Sequence, residues 1–444
     1  MTGGFDRLPI LPPGWERPAG RVRRPESRAA GDAHAEAHLR EAVAVTTHGD
    51  AAGGVEIQLG HLCNNRCVFC VSGQLTEQRL TRRIPEAPAI AALEAAAEAG
   101  VKRVTFLGGE PTIQRSFEPA VRRAQALGFE EIVVFTNGVR TVQPKFLDRM
   151  CAIGSFTWRF SIQGGTEAAH DRVTQTPGSF AKIVAGMTAL QGRGGQRITA
   201  NACVTALSAG DAVGYVGLVR DHGIEELHLD MIRPESAGLR SPSYHRTIQG
   251  TYTDLAAGLA AMLEAFADEL PDFDVHIGNL PFCLLPDWTR ALHHGGRDTT
   301  TVTTDDRGEL QRVHDKYAHQ REGMEHPEAC GRCAFRDRCR GVPSRYLRDR
   351  GDAEFVPIEA SDRALRKRRL LRLLDRLARV GDAHASAVAD GGWVEDAPAG
   401  RGARLLARLE GDRTVLSVLP VGDVAPDELR VRGDALVARY RGAR

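Results

Sequence analysis

From Val55 onward the sequence repeats one pattern six times: a short apolar or alternating run ending in glycine or polar residues, then a longer segment with helical spacing. Val55–Leu59, Arg103–Leu107, Glu131–Phe135, Phe156–Ile162, Ile198–Val204 and Glu226–Ile232 have the length and β-branched or aromatic content of strands. The helices that follow are Glu86–Ala99, stopped at Gly100; one capped by Ser116 and ending at Gly128; one opening near Pro144; one after Ser179; Asp211–Asp221; and Tyr252–Leu270. Such alternation calls for an α/β fold with parallel strands and helices outside. Right-handed crossovers then bend the sheet into a barrel or leave it open, and periodicity does not choose between partial and full closure.

The 444 residues exceed the roughly 250–300 at which one core stops growing, so smaller additions are expected around the repeated unit. Lys and Arg number 58 against 57 acids, a balance that gives no global attraction to nucleic acid or anionic membrane. The start, MTGGFDRLPILPPGWERPAG, has no hydrophobic signal core, and no uncharged apolar run approaches a membrane span, so a cytoplasmic protein without membrane partners is expected. Nine cysteines in a reducing compartment are poor candidates for disulfides. Seven of them fall into two groups with metal-ligand spacing.

The first group is Cys63-Asn64-Asn65-Arg66-Cys67-Val68-Phe69-Cys70, in the loop beyond the first strand. Thiolates are the usual ligands of iron–sulfur clusters, and three of them around a cubane of four irons leave one iron open. Zinc is the alternative; it takes a fourth ligand, for which His61 is the near candidate. In parallel α/β folds ligands collect beyond the carboxyl ends of the strands. There the chain has Gly108-Gly109-Glu110-Pro111, Thr136-Asn137-Gly138 and Ser161-Ile162-Gln163-Gly164. Paired glycines let backbone approach a ligand, and a carboxylate accepts hydrogen bonds from an ammonium. Plain turns are the competing reading of the glycine and Asn-Gly segments.

The C-x3-C-x2-C spacing, with an aromatic before the last cysteine, resembles the signature of the radical S-adenosylmethionine (radical SAM) enzymes. The resemblance implies a partial (β/α)6 TIM-like barrel over about residues 52–270 and a [4Fe–4S] cluster on Cys63, Cys67 and Cys70. Its open iron would chelate S-adenosylmethionine, and one electron would cleave the sulfonium to a 5′-deoxyadenosyl radical. Gly108, Gly109 and Glu110 would hold the methionyl amine, Ser161 the ribose or carboxylate, and the backbone of Phe69 the adenine. Gln163 stands where relatives often have Asp or His. Arg233 either pairs with the cofactor carboxylate through its planar fork or is a surface residue. His170, in the tract His170–Phe180, is assigned to capping and packing, with proton donation as the lesser alternative. Cys151 and Cys203 read as core thiols. No catalytic side chain is assigned.

The second group, Cys330-x2-Cys333-x5-Cys339 with Cys283 as a distant fourth ligand, resembles part of the auxiliary-cluster extensions called SPASM and twitch domains. A closed four-thiolate site suits structure or electron transfer, and zinc would use the same ligands. The seven-cysteine SPASM pattern is incomplete here. Beyond it, Ser361–Val380 is a helix with leucines on one face and Arg/Lys opposite, a solvated face by default and an RNA or acidic-peptide surface in the alternative. Arg404–Leu409, Thr414–Leu419, Leu429–Arg432 and Ala435–Arg439 read as strands of a small β-rich cap. The expected organisation is a partly ordered arm (1–51), a core barrel (52–270), a cysteine-rich region (271–358) and a small α+β tail (359–444).

The function expected is hydrogen abstraction from a peptide or small natural-product precursor, with a flavodoxin or ferredoxin as electron donor and a probable second [4Fe–4S] cluster. RNA modification and a non-catalytic zinc scaffold are the alternatives.

Overall fold

The computed structural model describes residues 42–43, 53–81, 84–232, 242–295, 299–304, 310–381, 384–397, 401–410 and 413–442. Almost all of the N-terminal arm, and Arg233, lie outside the described residues. The chain forms two compact units, Met1–Gly258 with Gly295–Gly323, and Leu259–His294 with Met324–Arg444.

In the first unit the six expected strands are β1 (Gly54–Gln58), β2 (Arg103–Leu107), β3 (Glu131–Thr136), β4 (Thr157–Ser161), β5 (Arg197–Val204) and β6 (Leu227–Met231). Each pairs in parallel with the next. The connecting helices are α1 (Val71–Glu77), α2 (Glu86–Glu98), α3 (Phe117–Ala126), α4 (Pro144–Ile153), α5 (Glu167–Thr174), α6 (Ser179–Leu190) and α7 (Tyr215–His222); α8 (Pro242–Gln249) follows, and α9 (Tyr252–Glu269) begins in the first unit and has its residues from Leu259 on in the second. Strand alternation sends Val55, Ile57, Val104, Phe106, Ile132, Val134, Trp158 and Phe160 into the buried core. Edge-to-face rings at Phe106–Phe117 and Phe146–Trp158, 6.3 and 6.4 Å between centroids, fill that layer. The opposite faces of the strands carry Glu56, Gln58, Ser161, Asn201, Cys203, His228 and Asp230.

Ser116 occupies the N-cap position of α3, as expected, yet its side chain makes no capping bond and its buried Oγ has no partner. Its backbone is already helical (φ −72°, ψ −11°), which turns the hydroxyl away from the first-turn amides.

Further strands lie in the polar stretch 299–315. After β7 (Val275–Gly278) and β8 (Leu292–His293), which pair with each other in the second unit, come β9 (Thr299–Thr304) and β10 (Leu310–Asp315) of the first unit. β9 runs parallel to β1, register Gly54↔Thr299 to Ile57↔Val302, and β10 is antiparallel to β9. Thr301 Oγ1 donates to Glu56 at 3.2 Å, and Lys316 at the start of α10 (Lys316–Arg321) places Nζ 2.6 Å from the same carboxylate. Burial would lower the Lys316 pKa, but Glu56, with help from Tyr317 and Asp230, holds it above its ordinary value. Glu56 is on β1 and Asp230 on β6. A flat six-stranded sheet would set those strands about 24 Å apart at the usual ~4.8 Å spacing. One ammonium feels both carboxylates, so the sheet curls toward closure, with β9, β10 and α10 on the flank of β1.

The second unit holds the short antiparallel pair β11 (Met324–Glu325) and β12 (Val342–Pro343), then α11 (Ser344–Arg350) and α12 (Arg363–Val380). An antiparallel sheet follows in the order β13 (His384–Val388), β14 (Gly391–Asp396), β15 (Gly402–Glu410), β16 (Arg413–Val421). Leu429–Arg432 and Ala435–Arg439 are not strands: both lie in helix α13 (Pro426–Gly442). Leu429, Leu436, Val437 and Tyr440 recur at helical spacing and pack with Leu405, Leu409, Leu374 and Leu377. The basic face of α12 is not simply solvated. Arg368, Arg372, Arg376 and Arg379 are bridged to Asp287, Glu264, Asp274 and Asp268 of the same unit at 2.6–3.1 Å.

Candidate active site

The loop carrying Cys63, Cys67 and Cys70 is held from three sides. α1 folds back on it, so that Thr76 Oγ1 accepts from the Cys63 amide at 3.1 Å. The end of α5 takes the amides of Arg66 and Val68 through the carbonyls of Thr174 and Val173, both at 2.9 Å. The β2 turn supplies the third support: the amides of Gly109 and Glu110 donate to the carbonyls of Gly60 (2.7 Å) and Leu62 (2.9 Å). This explains the paired glycines. A Cβ on Gly109 would fall 2.3 Å from the Leu62 carbonyl oxygen, and Gly108 has φ +137° with Gly60 O 2.5 Å from any Cβ. Gly108 and Gly109 therefore let the backbone of β2 approach the backbone of the cysteine loop.

Glu110 is brought to the same place and is 1% exposed. Its Oε1 accepts from Thr112 N–H (3.1 Å), Thr112 Oγ1 (2.6 Å) and Thr136 Oγ1 (2.8 Å), and its Oε2 from Asn137 N–H (2.7 Å). Burial raises its pKa, against the four hydrogen bonds that favour the charged form. Among the described residues no cation is in ion-pair contact with it, and Arg140 acts on it only through space, so the carboxylate is oriented and buried. Asn137 links it to the cysteines: its Nδ2 donates to Asn64 Oδ1 at 2.6 Å and lies 3.8 Å from Cys63 Sγ. Arg140 donates to the Thr112 carbonyl and stacks on Phe146, which pins the turn behind Glu110.

Burial pushes the Cys63 thiol up to about 12, with Cys70 and Glu110 adding to the rise, while Asn65 and Arg66 oppose it. Burial also raises Cys67, and Cys70, Cys63 and Cys203 contribute next. Thiols this crowded resist ionisation until a cation joins them, and an iron–sulfur cluster supplies that positive charge. The residues therefore fit the group. His61 does not offer itself as a fourth ligand. It is buried, with Nδ1 2.9 Å from Ser72 Oγ and 3.2 Å from Gln58 Nε2, a brace between β1 and α1.

Ser161 Oγ lies 3.3 Å from Asn201 Oδ1 on the strand face that also carries Cys203. Gln163 is buried, and its Oε1 accepts from the Cys203 amide at 3.0 Å, tying the ends of β4 and β5. Phe69 packs against Val68, Val173, Ile232 and Ile248. Asp171 caps α6 through Gly178 N–H, Ser179 Oγ and Phe180 N–H, the capping role expected for this tract. His170 is fully buried, accepts from Gln163 N–H at Nδ1, and has its pKa lowered to about 4 by burial, so it is neutral. Cys203 and Cys151 are both partly exposed rather than core thiols. Burial raises the pKa of Cys203 on β5, with Asp230 and then Cys70 adding to the rise, and Cys203 in turn contributes to the rise at Cys67. Cys151 sits at the outer end of α4 beside Arg193.

In the second unit Cys283, Cys330, Cys333 and Cys339 line one cavity with Phe282, Phe335 and His326. Burial and the other three thiols push Cys283 up to about 12. Gly341 N–H points at Cys339 Sγ at 3.4 Å. Among the described residues no three His, Cys, Asp or Glu side chains converge on a single-ion position. A cubane distributes its protein ligands over separate irons.

A curled parallel sheet with a three-cysteine loop after its first strand and a buried carboxylate after its second defines a class. Residues 57–205, about a third of the chain, match the model of the radical SAM superfamily, a superfamily of enzymes whose domain implies a [4Fe–4S] cluster and S-adenosylmethionine as cofactors. Among its relatives it is similar to a probable GTP 3′,8-cyclase of Metallosphaera sedula, 26% identical over 48% of this chain and 66% of that one. It is also similar to the PqqA peptide cyclase of Xanthomonas campestris pv. campestris, 29% identical over 42% of this chain and 49% of that one. The chain thus spans about half to two thirds of the curated relatives it matches. Among solved structures, Streptococcus suis SuiB bound to precursor peptide SuiA shares the fold, with a TM-score of 0.50 and 15% identity over 72% of this chain and 78% of that one. No helix among the described residues is long and apolar enough to cross a membrane.

Proposed function

We propose that the protein binds S-adenosylmethionine at a [4Fe–4S] cluster on Cys63, Cys67 and Cys70 and uses it to abstract hydrogen from a peptide or small natural-product precursor. The observation that carries this reading is the Glu110–Asn137–Cys63 contact, which sets a buried carboxylate, without an ion-pair contact among the described residues, beside the cysteine loop. When bound, the cluster supplies the electron that cleaves the sulfonium of the cofactor to a 5′-deoxyadenosyl radical. Glu110 accepts the methionyl ammonium, and Thr112, Thr136 and Asn137 keep its carboxylate aimed. Gly108 and Gly109 set the distance between that carboxylate and the loop. Ser161 faces the ribose or carboxylate end of the cofactor, and the backbone of Phe69 faces the adenine. Gln163 acts by fixing β4 to β5, and Arg233 is kept as a cofactor-carboxylate partner. With the cofactor bound, the sheet would hold the substrate C–H bond in place and keep water away from it.

Cys283, Cys330, Cys333 and Cys339 would hold a second, fully ligated [4Fe–4S] cluster, which would supply electron transfer to or from the product, with a flavodoxin or ferredoxin in the cytoplasm as donor. Their shared cavity and mutual repulsion support it. A peptide substrate agrees with the names of the PqqA cyclase and the SuiA-bound structure. An RNA substrate draws no support from α12, where four of the arginines are engaged by acids of their own unit. The test is anaerobic reconstitution, dithionite reduction and chromatography for 5′-deoxyadenosine. Formation that disappears in Cys67→Ala is expected; no 5′-deoxyadenosine from iron-replete protein sinks the proposal.

A further inference from the structure

Asn137 makes four hydrogen bonds with three different atoms of its own. Its backbone N–H donates to Glu110 Oε2 at 2.7 Å, its Oδ1 accepts from Val139 N–H at 3.1 Å, and its Nδ2 reaches Asn64 Oδ1 at 2.6 Å and Cys63 Sγ at 3.8 Å. The residue is 8% exposed, so these contacts compete little with water. Val139 N–H fixes the flip of the amide, because the atom facing it must be the oxygen, and Nδ2 then faces Asn64 and the sulfur. Cys63 receives a second donor from Asn65 N–H at 3.4 Å. Hydrogen bonds to cluster sulfurs stabilise the more negative, reduced state and so raise the potential.

We propose that Asn137 is a positioning residue that joins the cofactor-anchoring carboxylate of Glu110 to the Cys63 sulfur, its backbone N–H serving the first and its side-chain amide raising the reduction potential at the second. The inference rests on reading Cys63, Cys67 and Cys70 as cluster ligands. Its consequence is that the two functions separate by substitution. Asn137→Ala deletes the amide and keeps the backbone N–H, so the cluster becomes harder to reduce while cofactor affinity changes by less than about threefold. Thr136→Ala removes a donor to Glu110 and none to sulfur, so affinity falls about tenfold, the size of one hydrogen bond to a charged group, with the potential unmoved. An Asn137 that merely braced the loop would move neither the potential nor the affinity selectively.

The experiment uses the full chain, reconstituted anaerobically, with iron analysis, redox titration followed by electron paramagnetic resonance, and equilibrium dialysis of S-adenosylmethionine. Since the second cysteine group would add its own signal, the titration is done in a background of Cys330→Ala and Cys333→Ala. A lower midpoint potential in Asn137→Ala at unchanged iron content is expected; an unchanged midpoint overturns the inference. Should Asn137→Ala fail to hold iron, Asn64→Ala decides, since it removes the acceptor that orients the amide: a fall in potential supports the inference and an unchanged potential overturns it. Failure of the inference leaves 5′-deoxyadenosine formation intact, whereas failure of the functional reading abolishes it in the parent protein.

Discussion

At the scale of single residues, the site depends on one carboxylate kept ionisable in a place that disfavours charge. Replacing Glu110 by Gln keeps the shape and removes the charge. A charged hydrogen bond contributes about 1.5–3 kcal/mol, so dialysis should show cofactor affinity lower by roughly 10- to 100-fold, with iron content retained. Because burial raises the Glu110 pKa, protonation sets in at a higher pH than for an ordinary carboxyl, and affinity should fall as pH drops into that raised range. Glu110→Gln should be flat over the same interval. His170 gives a stability prediction. Its folded value of about 4 lies below the ordinary 6.5, so the unfolded chain takes up the proton first. Stability is then complete above pH 6.5 and declines as pH falls from 6.5 to 4, by about 3 kcal/mol for this one group. Thermal melting of His170→Gln should show a shallower pH slope in that window; parallel slopes would count against a neutral buried imidazole. The cysteines, Glu110 and the Thr136-Asn137-Gly138 turn were legible in the sequence, because their spacing alone marks them. The bond from Asn137 toward Cys63 was not, since it joins residues brought together by two successive crossovers.

At the scale of elements, six βα units could be read because buried strands and amphipathic helices leave their periods in the chain. Strand β9 could not: Thr299–Thr304 has no apolar alternation, and its place beside β1 follows from a partner far away in sequence. Helix α13 reads as two strands in the sequence because Gly433 interrupts it, although the spacing of Leu429, Leu436 and Tyr440 carries the helical signal. The β2 turn makes the sharpest prediction at this scale. Gly109→Ala would press a methyl against the Leu62 and His61 carbonyls at 2.3 and 2.5 Å, both backbone atoms that cannot rotate away. Overpacking of this kind costs about 1–3 kcal/mol, and here it should also displace the cysteine loop, read as lost iron at preserved helix content by circular dichroism. On α12, the arginines are occupied, so replacing Arg372 and Arg376 by Gln should lower the melting temperature in low salt and leave RNA retention on a filter unchanged at background.

For the whole molecule, the two cysteine groups belong to different compact units, so they should load independently. Reconstituted protein should carry about eight irons per chain. Cys283→Ala should leave about four and still cleave S-adenosylmethionine; zinc in place of iron at either group would overturn that assignment for the group concerned. The pairing of β9 with β1 bears on how the chain is made. Thr301 and Glu56, which touch across it, are 245 residues apart. At about 5–20 residues per second of synthesis, some 12–50 s pass between the emergence of one strand and the other. Throughout that interval the outer edge of β1, next to the cysteine loop, offers unpaired amides and carbonyls to any neighbouring nascent chain. Translation that stalls before Thr299 should therefore yield self-associating fragments, and slowing synthesis should lower the recovery of monodisperse, iron-loaded protein more than it lowers total yield.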